Sequence, residues 1–503
     1  MLQRLCAALV RYKSKLAGAI DRILRDKLDE RVSILDFGAD PTGVKDSTAA
    51  IQAAIDALYA RGGGELFIPA SVGTGSGDNV GYKVSDSIRL KPYVNVQGEG
   101  FGSLLKATKD LPNGILVMTK DTSISGKYIR DIRLQGVGGM GSIGLSTNLV
   151  AEATREEQCY GYDISGVVVE LCEIGMQLQG LWHSTIRNCT TSSCRMGLHL
   201  WGQNVSIQIT GCHFRRDHWN QDLDNTFGIR IQPRVYAWSP NKEEGSRSEA
   251  IIINGETMCI SVHHGIYVDD CLDLQISNVD LDYIRGNGVA IINVNGGFSL
   301  IHSWIAADSS STAQFMGVTI HGDSIQQHKV LQGLHINAAS ANPLNNNIGV
   351  NIDGSAGKVV VRDCTLVGGW AGVAIMRNIS NIVIDGTLFG GNTLYMVGTG
   401  GNVITGCGLY SITDDLKQGP NTYSGNNGLF TGGVVTVPVS SGANSGSYTI
   451  LSTVAGADYY ATVICGNEAN LADSAWVSDG TVHVKRSTPV GVDHPTKVLV
   501  TMV

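Results

Sequence analysis

A four-residue cassette, glycine, aliphatic, any residue, aliphatic, recurs through the middle of this 503-residue chain. It reads Gly175-Met-Gln-Leu, Gly197-Leu-His-Leu, Gly228-Ile-Arg-Ile, Gly265-Ile-Tyr-Val, Gly288-Val-Ala-Ile, Gly317-Val-Thr-Ile, Gly349-Val-Asn-Ile and Gly372-Val-Ala-Ile. Gly265 to Gly288 and Gly349 to Gly372 each span 23 residues, and Gly175 to Gly197 spans 22. A fixed period of that length marks a repeat architecture. Each cassette puts two aliphatic side chains on one face of a short strand, since side chains alternate with period two. One such strand cannot bury that face alone, but a stack of them builds a continuous core.

A second marker follows about a dozen residues later. Ile186-Arg-Asn-Cys189 and Ile209-Thr-Gly-Cys212 are in phase, and Ile276-Ser-Asn-Val279, Val361-Arg-Asp-Cys364 and Ile384-Asp-Gly-Thr387 hold the same place further on. Two or three strands per coil joined at Asn, Gly or Asp corners describe a parallel β-helix. A leucine-rich repeat would need a Leu consensus and a helix per repeat, and a propeller about 40 residues per blade. The fold class is therefore all-β, a parallel β-helix solenoid. Gly197 to Gly228 and Gly228 to Gly265 span 31 and 37 residues, so these coils carry inserted loops. Such loops fall on one face of a solenoid and are either ligand-facing or tolerated surface insertions.

The net charge of −8 argues against a nucleic-acid surface. No apolar run approaches the ~18 residues that span a bilayer, and Met1–Val10 lacks the features of a signal peptide. The 11 cysteines fit no zinc spacing. Cys172, Cys189, Cys212, Cys271 and Cys364 fall near matching points of successive coils, as reduced, stacked core residues formed in a cytosol would. No metal or cofactor is indicated.

Four regions follow from the pattern. Residues 1–31 read as a helical anchor or coiled coil, with Leu2, Leu5, Leu9, Tyr12, Leu16, Ala19 and Ile23 in an a/d heptad. Residues 32–135 read as an entry module whose helix, started by Asp46 and striped by Ala50, Ile51, Ala54, Ile55 and Leu58, caps the first coil. Residues 136–428 read as the β-helix itself. Residues 429–503, with strand-like runs between Gly, Ser, Asn and Asp turns, read as an antiparallel β-domain for trimerisation or glycan contact.

The stretch Ser33-Ile-Leu-Asp-Phe-Gly-Ala-Asp-Pro-Thr-Gly-Val-Lys-Asp-Ser-Thr48, followed by Ala50-Ile-Gln-Ala-Ala-Ile-Asp56 and Gly62-Gly-Gly-Glu-Leu-Phe-Ile-Pro69, resembles the opening of the pectate-lyase-like right-handed β-helix superfamily. Asp40-Pro-Thr-Gly43 replaces the family's usual Gly-Asp-Gly turn. The upstream Leu24-Arg-Asp-Lys-Leu-Asp-Glu-Arg-Val-Ser33 is similar to the joint between virion anchor and β-helix in bacteriophage tail spikes and tail fibres. This resemblance implies a homotrimer on the virion tail that is assembled in the host cytoplasm. It also implies binding to, and usually depolymerisation of, a bacterial surface polysaccharide such as capsule or O-antigen. The short anchor suggests docking through the N-terminal helix on the phage tail or another tail protein. The fold alone does not name the chemistry, because hydrolases, lyases and isomerases share it.

Glycosidic hydrolysis needs two carboxyl groups. In Val279-Asp-Leu-Asp-Tyr283, strand alternation puts Asp280 and Asp282 together on the outward face, roughly 6.6 Å apart at the backbone. That lies within the wider spacing of inverting enzymes, about 6.5–9.5 Å. A solvated acidic face or a cation-binding pair would look the same. Counting one coil back places Glu256 near Asp280, and one coil forward places Trp304 and Asp308 there. Glu256 and Asp308 are thus further catalytic candidates, and Trp304 is a platform for a sugar ring. Arg234, Tyr236, Trp238, His264 and Arg285 are candidate substrate contacts. Trp182 and Trp201 are weaker ones. A lyase would instead pair a base (His263, His264 or Tyr283) with a charge neutraliser (Arg285 or Arg234), and an adhesin would bind glycan without cleaving it.

Overall fold

The computed structural model describes residues 10–502 apart from 74–78, 120–125, 140, 148–157, 217–224, 235–246, 295, 323–327, 341–345, 355–356, 377–378, 398–400, 410, 416–421, 425–426, 429–432, 440–444, 450–458, 464–473, 479–480 and 486–493. The chain divides into two compact units, residues 1–219 with 234–246 and residues 220–233 with 247–503. Each is built from three parallel sheets, which we call A, B and C in the order that the chain visits them within a coil.

In the first unit sheet A runs from Val32–Ser33 to Val205–Thr210, sheet B from Tyr82–Val84 to His213–Arg215, and sheet C from Ile88–Arg89 to Met196–Trp201. In the second, sheet A runs from Ser248–Asn254 to Thr422–Ser424, sheet B from Thr257–Ile260 to Asn427–Gly428, and sheet C from Phe227–Gln232 to Ser411–Asp415. Within each unit, neighbouring strands of a sheet lie one coil apart in the chain and pair in parallel, so the solenoid reading holds. Antiparallel pairing then takes over. Gly433–Val439, Tyr459–Val463 and His494–Met502 form one three-stranded sheet, and Ser445–Thr449, Ser474–Ser478 and Thr481–Lys485 form another.

The recurring cassette is the sheet C strand. In the second unit Ile266, Val289, Val318, Val350 and Val373 lie in one register row, and Val268, Ile291, Ile320, Ile352 and Ile375 in another. All are fully buried. The glycine that opens the cassette has a steric cause. A Cβ on Gly288 would lie 2.4 Å from the Gly317 carbonyl oxygen and 2.4 Å from Ile305 Cγ2, and Gly265, Gly317 and Gly349 each meet the next rung's carbonyl at 2.5–2.6 Å.

The second marker is the corner from sheet A to sheet B. Its penultimate residue takes left-handed φ in successive rungs: Asp131, Gly166, Asn188 and Gly211 in the first unit, and Glu256, Asn278, His302, Gly333, Asp363, Gly386 and Gly406 in the second. Asn, Asp and Gly carry little penalty there. The next residue turns inward, and where it is Cys, Ser or Thr it donates to a carbonyl of its own corner, two residues back except at Thr257, which reaches Asn254 three back. Cys189, Cys212, Ser303, Cys364, Thr387 and Cys407 do so at 2.9–3.5 Å. The described cysteines are thiols without a disulfide and are buried, and burial pushes the Cys364 thiol up to about 11. They serve as small core groups with a weak donor.

At the entry, helix Thr48–Ala60 buries Ile51, Ala54, Ile55 and Leu58. The acids before it are turn and cap groups. Asp36 and Ser33 form a reciprocal capping box, the Asp40 carboxylate accepts from the backbone of Thr42, Val44 and Lys45, and Asp46 accepts from the Thr48 N–H at 2.7 Å. Among the described residues of the N-terminal segment, 10–31, the expected helix is not continuous. Arg11–Tyr12 pairs antiparallel with Arg22–Ile23, a left-handed Gly18 lies between them, and Leu24–Leu28 is helical. Leu16 and Ile23 are exposed, and without a partner for its seam a heptad of this length does not hold a helix. Leu2, Leu5 and Leu9 lie outside the described residues.

Replacing Gly288 with alanine should destabilise the second unit by about 1–3 kcal/mol, the usual cost of overpacking, read as a lower urea midpoint. Alanine at the exposed Val44 should leave the midpoint unchanged.

Candidate functional site

The strand Val279–Ile284 in sheet B of the second unit turns Val279, Leu281 and Ile284 into the core. Asp280 and Asp282 therefore face outward. Alternation breaks at Tyr283, which takes φ 53° and is 57% exposed. The register with the next strand shifts between Leu281 and Ile284. Asp282 Oδ1 accepts a hydrogen bond from the Tyr283 N–H at 3.0 Å, which orients that carboxyl group.

Asp280 sits between Met258 on the rung below and Trp304 on the rung above. Its Oδ1 is shut off from solvent and has no hydrogen-bond partner among the described residues. Burial first, and the neighbouring Asp282 charge second, push its pKa above the ordinary carboxyl range. The two acids thus have different surroundings. Asp280 has an oxygen sealed from solvent, whereas Asp282 is oriented by a backbone donor.

Trp304 is 41% exposed. On the next rung His335 stacks on it, with ring centroids 4.5 Å apart and planes 12° from parallel. His335 went unnoticed in the sequence. Its signal was the corner marker, because Leu331-Gln-Gly-Leu334 aligns with Ile276-Ser-Asn-Val279 and puts His335 in phase with Asp280 and Trp304.

The other expected site residues lie elsewhere. Glu256 is not beside Asp280. It is a left-handed corner residue (φ 60°) whose N–H bonds to the Asn278 carbonyl at 2.8 Å. Its corner holds one residue more than the next, since Ile253 pairs with Ile276 but Thr257 with Val279. Asp308 is tied into a turn. It accepts from the Ser310 N–H at 3.0 Å and the Ser310 hydroxyl at 2.6 Å, and it pairs with Arg285 at 3.1 Å. Arg285 is thereby committed to the corner from sheet B to sheet C.

His264 is packed against Phe227, His263 and Tyr267 at 5.0, 4.4 and 5.3 Å. Its Nδ1 faces donors from Asn287, and burial, then His263 and Arg230, bring its pKa down to about 3. It is a neutral packing group. Arg234 belongs to the first unit, where its guanidinium lies 4.5 Å over Trp201 and bonds to Gln179. Tyr236 and Trp238 lie outside the described residues. Among the described residues no three metal-binding side chains come together.

Residues 31–138 match the rhamnogalacturonase A/epimerase, pectate lyase-like family. The tail spike protein of Shigella phage Sf6 is 41% identical over 496 residues, which is 98% of this chain and 77% of that one. The chain belongs to the phage tail spike proteins. As such a spike it is a component of the virion tail that acts at the bacterial surface. A mannuronan C5-epimerase of Azotobacter vinelandii is 48% identical over 258 residues, 47% of this chain but only 24% of that protein. Among solved structures, the tailspike protein of E. coli bacteriophage HK620 in complex with a pentasaccharide covers 99% of the spike and 97% of its own chain, with TM-score 0.58 and 14% identity. At that identity the likeness is one of fold.

The raised Asp280 has a consequence for stability. A carboxyl group whose folded pKa exceeds its unfolded value binds its proton more tightly when folded. It therefore favours folding at low pH, and that gain disappears as pH rises through the folded pKa. Asp280→Asn should raise the unfolding midpoint at about pH 7 and leave it unchanged near pH 3, where the carboxyl is protonated in both states.

Proposed function

We propose that the spike binds and depolymerises a bacterial surface polysaccharide, capsule or O-antigen, by glycosidic hydrolysis. The observation that carries this reading is the sealed, unpartnered oxygen of Asp280 beside Asp282 and beneath an exposed indole. A glycosidic oxygen needs a proton as its bond breaks, and a carboxyl group that resists ionisation supplies it. Asp280 is the general acid. Asp282, two residues along the strand, is the base that takes a proton from the attacking water. Their backbone spacing of roughly 6.6 Å is compatible with the wider carboxyl separation of inverting enzymes, which accommodates that water. Trp304 offers an apolar face for a sugar ring.

A lyase is the second reading, and the match to an epimerase of a uronate polymer favours keeping it. Against it, the cations it would need are already engaged: Arg285 with Asp308, and Arg234 with Gln179 and Trp201. His264 is packed among aromatic rings. Exposed Tyr283 remains its best base.

We assign the attachment to the tail to the N-terminal segment, where Val10, Tyr12, Leu16, Ile20, Ile23 and Leu28 are exposed apolar groups. The particle-bound form is a homotrimer in this reading, which light scattering of the full chain tests by its mass.

Surface polysaccharides extracted from Shigella and Escherichia strains, the hosts named for two tail spike relatives, provide the substrate test. The wild-type spike should shorten one of them and release saturated reducing ends. Asp280→Asn and Asp282→Asn should each slow shortening about a hundredfold or more while binding is kept. Products that absorb ultraviolet light as unsaturated sugars would move the assignment to a lyase. Chains that are bound but never shortened would leave an adhesin.

A further inference from the structure

We propose that His335 is a positioning residue: its ring backs the indole of Trp304 and holds it upright as a wall over Asp280. This rests on the reading of Asp280 and Trp304 as a glycan site. The argument is geometric. Asp280, Trp304 and His335 occupy one register row on three successive rungs of sheet B. Rungs of a parallel solenoid repeat at about 4.8 Å, and the Trp304 and His335 centroids are 4.5 Å apart with planes 12° from parallel. The rings therefore lie across the stacking direction, one per rung. His335 covers one face of the indole, and the opposite face turns toward the rung of Asp280.

Asp280 is a much shorter side chain than tryptophan. The side chain beneath the indole is thus a short carboxyl group rather than a ring. A sugar ring placed against the indole face that His335 leaves uncovered would lie next to Asp280. A half-exposed indole has several rotamers to choose from, and most would turn that face away from Asp280. The stacked imidazole removes that choice. His335 is itself fixed from behind, since its N–H bonds to the Ser303 carbonyl at 3.0 Å and Ile336 next to it is fully buried. The next rung places Thr365 in the same row, so the stack of rings ends there and the wall is two rings thick.

The role assigned to His335 is that of a flat ring rather than of a titrating group, so phenylalanine should replace it and alanine should not. Two readouts decide this. The emission of Trp304, taken as the difference between the spike and its Trp304→Phe variant, is measured without glycan. His335→Ala should make that emission at least about twofold more quenchable by acrylamide and lower its anisotropy, as a freed indole edge would, and His335→Phe should change neither. The polysaccharide that the wild type shortens is then used for kinetics. His335→Ala should raise KM about threefold to tenfold, the worth of one aromatic pair, with kcat nearly unchanged, and His335→Phe should restore KM.

Unchanged quenching in the alanine variant overturns the proposal. So does a freed indole with unaltered KM, which leaves the hydrolase reading standing. A phenylalanine variant as impaired as alanine, with a wild-type unfolding midpoint, places the effect on the imidazole nitrogens and also overturns it. Where wild type binds but shortens no chain, the hydrolase reading falls and the same comparison is made on the dissociation constant for the immobilised polysaccharide. A wild type that neither binds nor shortens any of them overturns both.

Discussion

Everything in this molecule hangs on the hydrogen bonds from each strand to the strand one coil away. They fix a repeat of about 4.8 Å, and a side chain then has the same-phase residues of the adjoining coils as its nearest neighbours. Inward rows become aliphatic columns such as Ile266, Val289, Val318, Val350 and Val373. The glycines of sheet C come from the same constraint, because the carbonyl of the following rung already occupies the place of a Cβ. Outward rows become columns of chemistry, and the column of Asp280, Trp304 and His335 is one of them.

The rungs were legible because their two hardest positions leave strict marks. Glycine marks the sheet C strands from Gly175 to Gly372, where a Cβ would collide, and Asn, Asp or Gly suits the left-handed corner. What the sequence conceals is the length of each coil. Met258 to Asp280 is 22 residues, Asp280 to Trp304 is 24 and Trp304 to His335 is 31. Counting a fixed period forward reached Trp304 correctly. Counting backward met the extra corner residue at Asn254-Gly255-Glu256 and put Glu256 where Met258 belongs. Phasing from the corner instead would have reached both Met258 and His335. The N-terminal heptad misled for another reason: a hydrophobic seam specifies a helix only when something fills it, and in the single chain Arg11–Tyr12 finds Arg22–Ile23 instead.

Asp280 and Asp282 share a strand face yet differ in kind. Asp280 is hemmed in by Met258 and Trp304, while Asp282 stands where Tyr283 disrupts the strand. Alternation could place both outward, but it could not say that Asp280 would have an oxygen sealed from solvent. That difference comes from neighbours one coil away and from a local break in register. By contrast, of the acids that counting coils made attractive, Glu256 serves as a left-handed corner residue and the Asp308 carboxylate is held by Ser310 and Arg285.

At many of the left-handed corners the inward residue that follows ties its thiol or hydroxyl to a carbonyl of its own turn. A corner sealed in this way draws nothing from the outer face. Substitutions on that face can therefore accumulate without penalty to winding, and a virus confronted with an altered host coat has a scaffold on which recognition can drift while assembly does not.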